Sequence, residues 1–117
     1  MESLVINHVT ITSEEPERLQ DWYVEKLDFR REEERMLWAG ESLLNINKGG
    51  RMPADFHFGF RFTSKEALRR VLDELEEKDV EITHELTDYG SYAMAYIADR
   101  DGNTLELFYQ ERPGDEP

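Results

Sequence analysis

The chain has 117 residues, the length of one domain, and its 38% apolar and 11% aromatic content is enough for one core. It carries 27 acidic against 14 basic residues, a net charge of −13, which disfavours nucleic acid and anionic membrane surfaces as partners. It has no cysteine, so disulfides, thiolate nucleophiles and zinc–thiolate sites are excluded, and any metal must be held by His and carboxylate.

No charged-then-apolar leader opens the sequence, and no apolar run approaches membrane-spanning length. These features point to a soluble, cytoplasmic protein. The first predicted element is a strand over 4–11, with Val5, Val9 and Ile11 toward the core and Ile6, His8 and Thr10 opposite. Ser13, Pro16 and the acidic residues 14, 15 and 17 mark a helix start. Leu19, Trp22, Tyr23 and Leu27 then recur at helical spacing. Strand-like segments follow over 30–36 and 37–47, with a turn at 39–41, and the glycines and proline of 49–53 form a linker.

A second copy of the unit follows. Phe56, Phe58, Phe60 and Phe62 alternate with His57, Gly59 and Arg61, predicting a strand with its aromatic face toward a helix. Thr63 and Glu66 have capping-box spacing, and Leu68, Val71, Leu72 and Leu75 line one helical face. Strands are predicted at 80–87, 92–98 and 104–110, with turns at 88–90 and 99–103, where Gly102 and Asn103 tolerate positive φ. The tail from Glu111, with Pro113 and Pro117, is expected to fray. The expected fold is therefore α+β. Module one covers about 4–48 and module two about 56–110, with 49–55 between them. Each is βαβββ, and the two pair into one curved mixed sheet with helices on the outer face.

Strand parity turns this repeat into a candidate site. His8 and His57 occupy matching positions, and Glu106 is a lone carboxylate inside the apolar run 104–109, on the face opposite Leu105 and Leu107. An unpaired carboxylate there is costly. Two imidazoles and one carboxylate are a ligand set for a divalent metal with open positions. The module-one position matching Glu106 is Asn45, flanked by Leu44 and Ile46 as Glu106 is by Leu105 and Leu107.

These residues resemble the vicinal oxygen chelate superfamily, the glyoxalase, bleomycin-resistance and extradiol-dioxygenase group, over about 4–110. The resemblance rests on Ile6-Asn7-His8-Val9-Thr10-Ile11, on the helix end Trp22-Tyr23 with Leu27-Asp28-Phe29, on His57-Phe58-Gly59-Phe60, and on Asp99-Arg100-Asp101-Gly102-Asn103-Thr104-Leu105-Glu106-Leu107. Asp28 replaces a usual Gly and Arg100 a usual Pro. The resemblance implies paired modules curving round a cleft, a homodimer and a small-molecule substrate bound through neighbouring oxygens. It also implies a divalent ion (Fe, Mn, Ni or Zn) on His8, His57 and Glu106. Asn45 stands where glyoxalase I enzymes carry a fourth ligand, which favours a three-ligand site. Tyr96 stands where dioxygenases place a catalytic Tyr, although the His that pattern wants is missing from the preceding stretch, and His84 reads as a surface residue. Arg61 reads as holding an anionic group or as pairing with an acid, and Trp38 and Phe108 as pocket lining or core. The rival reading is a metal-free, drug-binding protein of the bleomycin-resistance kind.

Overall fold

The computed structural model describes residues 4–33 and 35–112. Its elements are β1 (His8–Ser13), α1 (Pro16–Leu27), β2 (Arg30–Glu33), β3 (Met36–Ala39), β4 (Ser42–Lys48), β5 (His57–Phe62), α2 (Lys65–Glu77), β6 (Ile82–Asp88), β7 (Tyr92–Ala98) and β8 (Thr104–Gln110). The fold is α+β, as expected, and the chain divides into two compact units between Pro53 and Ala54. Each unit is one βαβββ module with its own four-stranded mixed sheet, in the orders β1-β4-β3-β2 and β5-β8-β7-β6.

In module one, β1 runs parallel to β4, and β3 is antiparallel to both β4 and β2. Leu19 and Tyr23 of α1 are fully buried, as are Ile11, Leu37 and Ile46 of the sheet, so α1 covers one sheet face. Buried Gln20 donates to the Ile46 carbonyl at 3.4 Å, which satisfies its amide inside that layer. The helix ends at Asp28, which adopts left-handed φ 57° and donates its backbone N–H to the Tyr23 carbonyl. The predicted first strand is corrected. It starts at His8 rather than at residue 4, and Val5 is 84% exposed instead of core. Only from His8 onward does β4 pair with it residue by residue, so the apolar residues before it have no sheet to enter. The expected turn at 39–41 forms at Gly40 (φ 60°) and divides the expected 37–47 segment into β3 and β4.

Module two repeats the plan. Leu68, Leu72 and Leu75 of α2 are buried against the face that carries Ala93, Ala95, Ile97, Leu105 and Leu107. The helix cap is Ser64, not Thr63: Ser64 Oγ accepts from the Ala67 N–H at 3.0 Å, since a capping side chain serves the third helical N–H. Between β7 and β8, buried Asp99 holds the loop. Its Oδ1 accepts from the backbone N–H of Asp101 and Asn103, and its Oδ2 from the Asn103 side chain, all at 2.9 Å. Only Gly102 in this loop has positive φ (85°), so Asn103 serves as a hydrogen-bonding residue and not as the left-handed one. Pro113 and Pro117 of the expected frayed tail lie outside the described residues.

Candidate functional site

The register of the two parallel strand pairs makes the repeat explicit. In module two, His57 lies opposite Thr104 and Gly59 opposite Glu106. In module one, His8 lies opposite Leu43 and Thr10 opposite Asn45. His8 and His57 are therefore equivalent, and so are Asn45 and Glu106, as the sequence pattern predicts.

Module two gathers most of the candidate residues on one sheet face, the one turned away from α2. The residues paired across neighbouring strands are Gly59, Glu106, Tyr96 and His84, in that order across β5, β8, β7 and β6. Paired positions on adjacent strands present side chains to the same face. Leu105 and Leu107 point into the α2 layer, which puts Glu106 on the open face with a 13% exposed side chain. His57 Nε2 lies 3.7 Å from Glu106 Oε1, with the imidazole 56% exposed. Among the described residues the Glu106 carboxylate has no hydrogen bond, and His57 is its ion-pair partner.

Gly59 sets the approach of these strands. A Cβ there would stand 2.7 Å from the Glu106 carbonyl oxygen and 3.1 Å from the Glu106 Cβ. The bare backbone lets β5 close on β8 beside the carboxylate. Tyr96 is half-buried next to Glu106. Burial first, and then the Glu106 charge, push its phenol above the ordinary tyrosine range, so it keeps its proton at neutral pH.

His84 is exposed, as expected, but the structure adds what the sequence missed. Its ring meets the Tyr96 ring edge-on with centroids 5.4 Å apart, and its Nδ1 lies 2.9 Å from the Glu85 carbonyl. Register shifts on both sides of His84 bring it opposite Tyr96. Ile82 pairs with buried Ile97 and His84 with Tyr96, so two residues an even number apart face opposite ways. No Gly or Pro in 82–88 marks that bulge in the sequence.

Arg61 lies on the same face, opposite half-buried Phe108. Its guanidinium donates to the Gln110 carbonyl at 3.1 Å and not to a carboxylate. The other candidates belong to module one. His8 is exposed, with Nδ1 3.0 Å from the Asn7 side-chain oxygen. Asn45 is half-buried between Thr10 and Met36. Trp38 is half-buried on β3, opposite Arg30 and Leu43.

The donor chemistry of module two suits a metal. An imidazole nitrogen and a carboxylate oxygen 3.7 Å apart can both reach one first-row ion at the usual bond lengths of about 2.0–2.2 Å. Among the described residues, no group of three or more His, Asp or Glu side chains is gathered about one point.

No helix of the described residues is long and apolar enough to cross a membrane. No curated protein matches the chain in sequence. Solved structures match its fold over nearly all its length. A lactoylglutathione lyase from Agrobacterium tumefaciens is 13% identical, with 97% of this chain and 99% of that one covered at a TM-score of 0.79. A glyoxalase/bleomycin resistance protein/dioxygenase from Alicyclobacillus acidocaldarius is 18% identical, with 92% of each chain covered and a TM-score of 0.71. A virulence protein from Salmonella typhimurium is 20% identical, with 94% of this chain and 99% of that one covered and a TM-score of 0.71. At these identities the likeness is one of fold. The sequence itself matches a family model over residues 5–107, and the chain belongs to the Glyoxalase/Bleomycin resistance protein/Dioxygenase superfamily.

Proposed function

We propose that the protein is a divalent-metal-dependent enzyme acting on a small molecule that binds through two neighbouring oxygens. The observation that carries this reading is the His57–Glu106 pair: a 13% exposed carboxylate, without a hydrogen bond among the described residues, beside an imidazole nitrogen at 3.7 Å. A desolvated carboxylate in that setting calls for a cation. His8, the repeat equivalent of His57, is the third donor of the proposed set, and the two modules act as one domain. We further propose a cytoplasmic protein, in keeping with the acidic, cysteine-free composition, and a homodimer, as the family resemblance implies.

A divalent ion (Fe, Mn, Ni or Zn) held there supplies Lewis-acid polarisation of a substrate oxygen. The rest of the work falls to the chain's own side chains. Tyr96, kept protonated by burial and by Glu106, holds a proton at Oη for a substrate oxygen that gains negative charge. His84 packs edge-on against that phenol and limits its swing. Arg61, tethered through one nitrogen to the Gln110 carbonyl, keeps its other N–H groups for an anionic substituent. Phe108 supplies an apolar wall beside it. From module one, Asn45 and Trp38 complete the substrate contacts. With Asn45 where a fourth carboxylate would otherwise stand, the set is an open three-donor site.

The absence of a gathered three-donor group among the described residues favours a second reading, a metal-free small-molecule or drug-binding protein. One experiment separates the two. Metal-stripped protein is loaded in turn with iron, manganese, nickel and zinc, and retention is measured beside His8→Ala, His57→Ala and Glu106→Gln. The enzyme reading expects one equivalent in the wild type and at least about tenfold weaker binding in each variant. Wild-type retention no higher than in the variants leaves the binding protein.

A further inference from the structure

Module one holds a depression of about 630 Å³ lined by Val5, Ile6, Arg30, Glu32, Trp38 and Glu41, among others. Its volume falls within the ordinary range for small-ligand pockets, about 300–1,000 Å³. The polar lining is mixed in sign. Arg30 and Trp38 are directly paired across β2 and β3, so the guanidinium and the indole are neighbours on one face. Glu32 falls at the register shift between Arg31 and Glu33, and it lines the same depression as Arg30. Two residues along a strand are separated by about 6–7 Å. No ion pair joins Arg30 to Glu32 or Glu41 among the described residues, so both signs of charge are presented unneutralised.

The rest of the lining is apolar. Val5 is 84% and Ile6 91% exposed, which leaves two aliphatic side chains beside the indole with no cover among the described residues. Trp38 Nε1 is buried and makes no hydrogen bond among the described residues. No bond therefore fixes the ring, and an acceptor reached by a turn of the indole is gained without breaking one.

From this lining we infer a binding site for a zwitterionic amino acid with an apolar side chain. The α-carboxylate pairs with Arg30, through a charge-assisted fork that suits a planar carboxylate. The α-ammonium sits toward Glu32 and Glu41. The side chain lies on Trp38, Val5 and Ile6. An anion alone leaves two carboxylates facing it, and a cation alone meets Arg30, so only a ligand with both charges satisfies the whole lining. This site is built from module-one residues and shares Trp38 with the substrate contacts proposed above, but it needs no metal ion.

The test is titration calorimetry of the full chain in the presence of a chelator, with L-phenylalanine as probe. Saturable one-to-one binding is expected. Phenylacetate, which lacks the ammonium, and phenethylamine, which lacks the carboxylate, should each bind at least about tenfold more weakly. Arg30→Gln and Glu32→Gln, with folding checked by circular dichroism, should each weaken phenylalanine by about tenfold. The inference is overturned by no saturable binding up to about 10 mM phenylalanine, where a weak binder of this size would register. It is equally overturned if either single-charge analogue binds as well as phenylalanine, or if both folded variants bind like the wild type. Because the chelator removes any ion, failure here leaves the metal proposal untouched, and failure of metal loading leaves this result unaffected.

Discussion

Tyr96 and Glu106 face each other directly across the antiparallel pair of β7 and β8, on the sheet face turned away from α2. The carboxylate is the second cause, after burial, of the phenol's raised proton affinity. Tyr96 should therefore titrate above the ordinary tyrosine value of ~10, and Glu106→Gln should lower its midpoint. The sign for stability follows from the same shift. A folded-state value above the unfolded one means that the stability tied to the neutral phenol is intact below ~10 and is lost as pH rises through the folded value. Difference absorbance near the phenolate band, wild type minus Tyr96→Phe, isolates this residue from the other tyrosines. A Tyr96 midpoint at or below ~10 contradicts the expectation.

Gly59 is expected to be irreplaceable for a local steric reason. Its missing Cβ would meet the Glu106 carbonyl oxygen at 2.7 Å, a backbone atom that cannot swing aside. Gly59→Ala should force β5 from β8 and cost about 1–3 kcal/mol in urea unfolding. Thr10, the equivalent residue of module one, already carries a side chain opposite Asn45. Thr10→Ala should therefore be tolerated far better, and equal losses at the two positions would contradict the steric account.

Asp28 ends α1 with φ 57°, a conformation that glycine adopts without a Cβ penalty. A negative side chain at a helix C-terminus is also unfavourable toward the helix dipole. Asp28→Gly should stabilise the chain by up to about 1 kcal/mol, seen as a higher Tm with an unchanged far-ultraviolet spectrum. A lower Tm would show that the carboxylate contributes more than the backbone strain removes.

Asp88 closes the β6–β7 turn. Lys65 Nζ lies 2.9 Å from its Oδ1, Arg69 approaches its Oδ2 at 3.5 Å, and the Gly90 N–H donates to Oδ1 at 2.9 Å. The Lys65 hydrogen bond, and next the Gly90 N–H, hold its carboxyl below the ordinary aspartate value of 3.8. The linked stability is present above that unfolded value and is lost as pH falls through the lower folded one. In an NMR titration, Lys65→Met should move the Asp88 midpoint upward, and high salt should act in the same direction. An unmoved midpoint would show that Lys65 is not the cause.

Much of the fold was legible in the residues. Period-two alternation located β5 and β8, apolar residues at helical spacing located both helices, and the matching contexts of His8 with His57 and of Asn45 with Glu106 agree with the observed registers. These signals are local: a strand side chain's face is set by its neighbours two residues away. The failures have local causes too. The apolar residues 4–6 imitate a strand interior, but sheet pairing in β1 begins only at His8. Thr63 and Glu66 imitate a capping box one residue ahead of the true cap, Ser64.

What the sequence determined by itself is a duplicated βαβββ unit with His8, His57 and Glu106 on polar strand faces. Only the tertiary structure decided which residues stand beside them. Bulges on β6 turn His84 toward Tyr96, and a bare Gly59 lets two parallel strands close beside a carboxylate. The pairing of Arg30 with Trp38 likewise appears only once β2 and β3 are in register. Each depends on how a strand meets another strand, and the hydrophobic period of a single segment carries no information about that register.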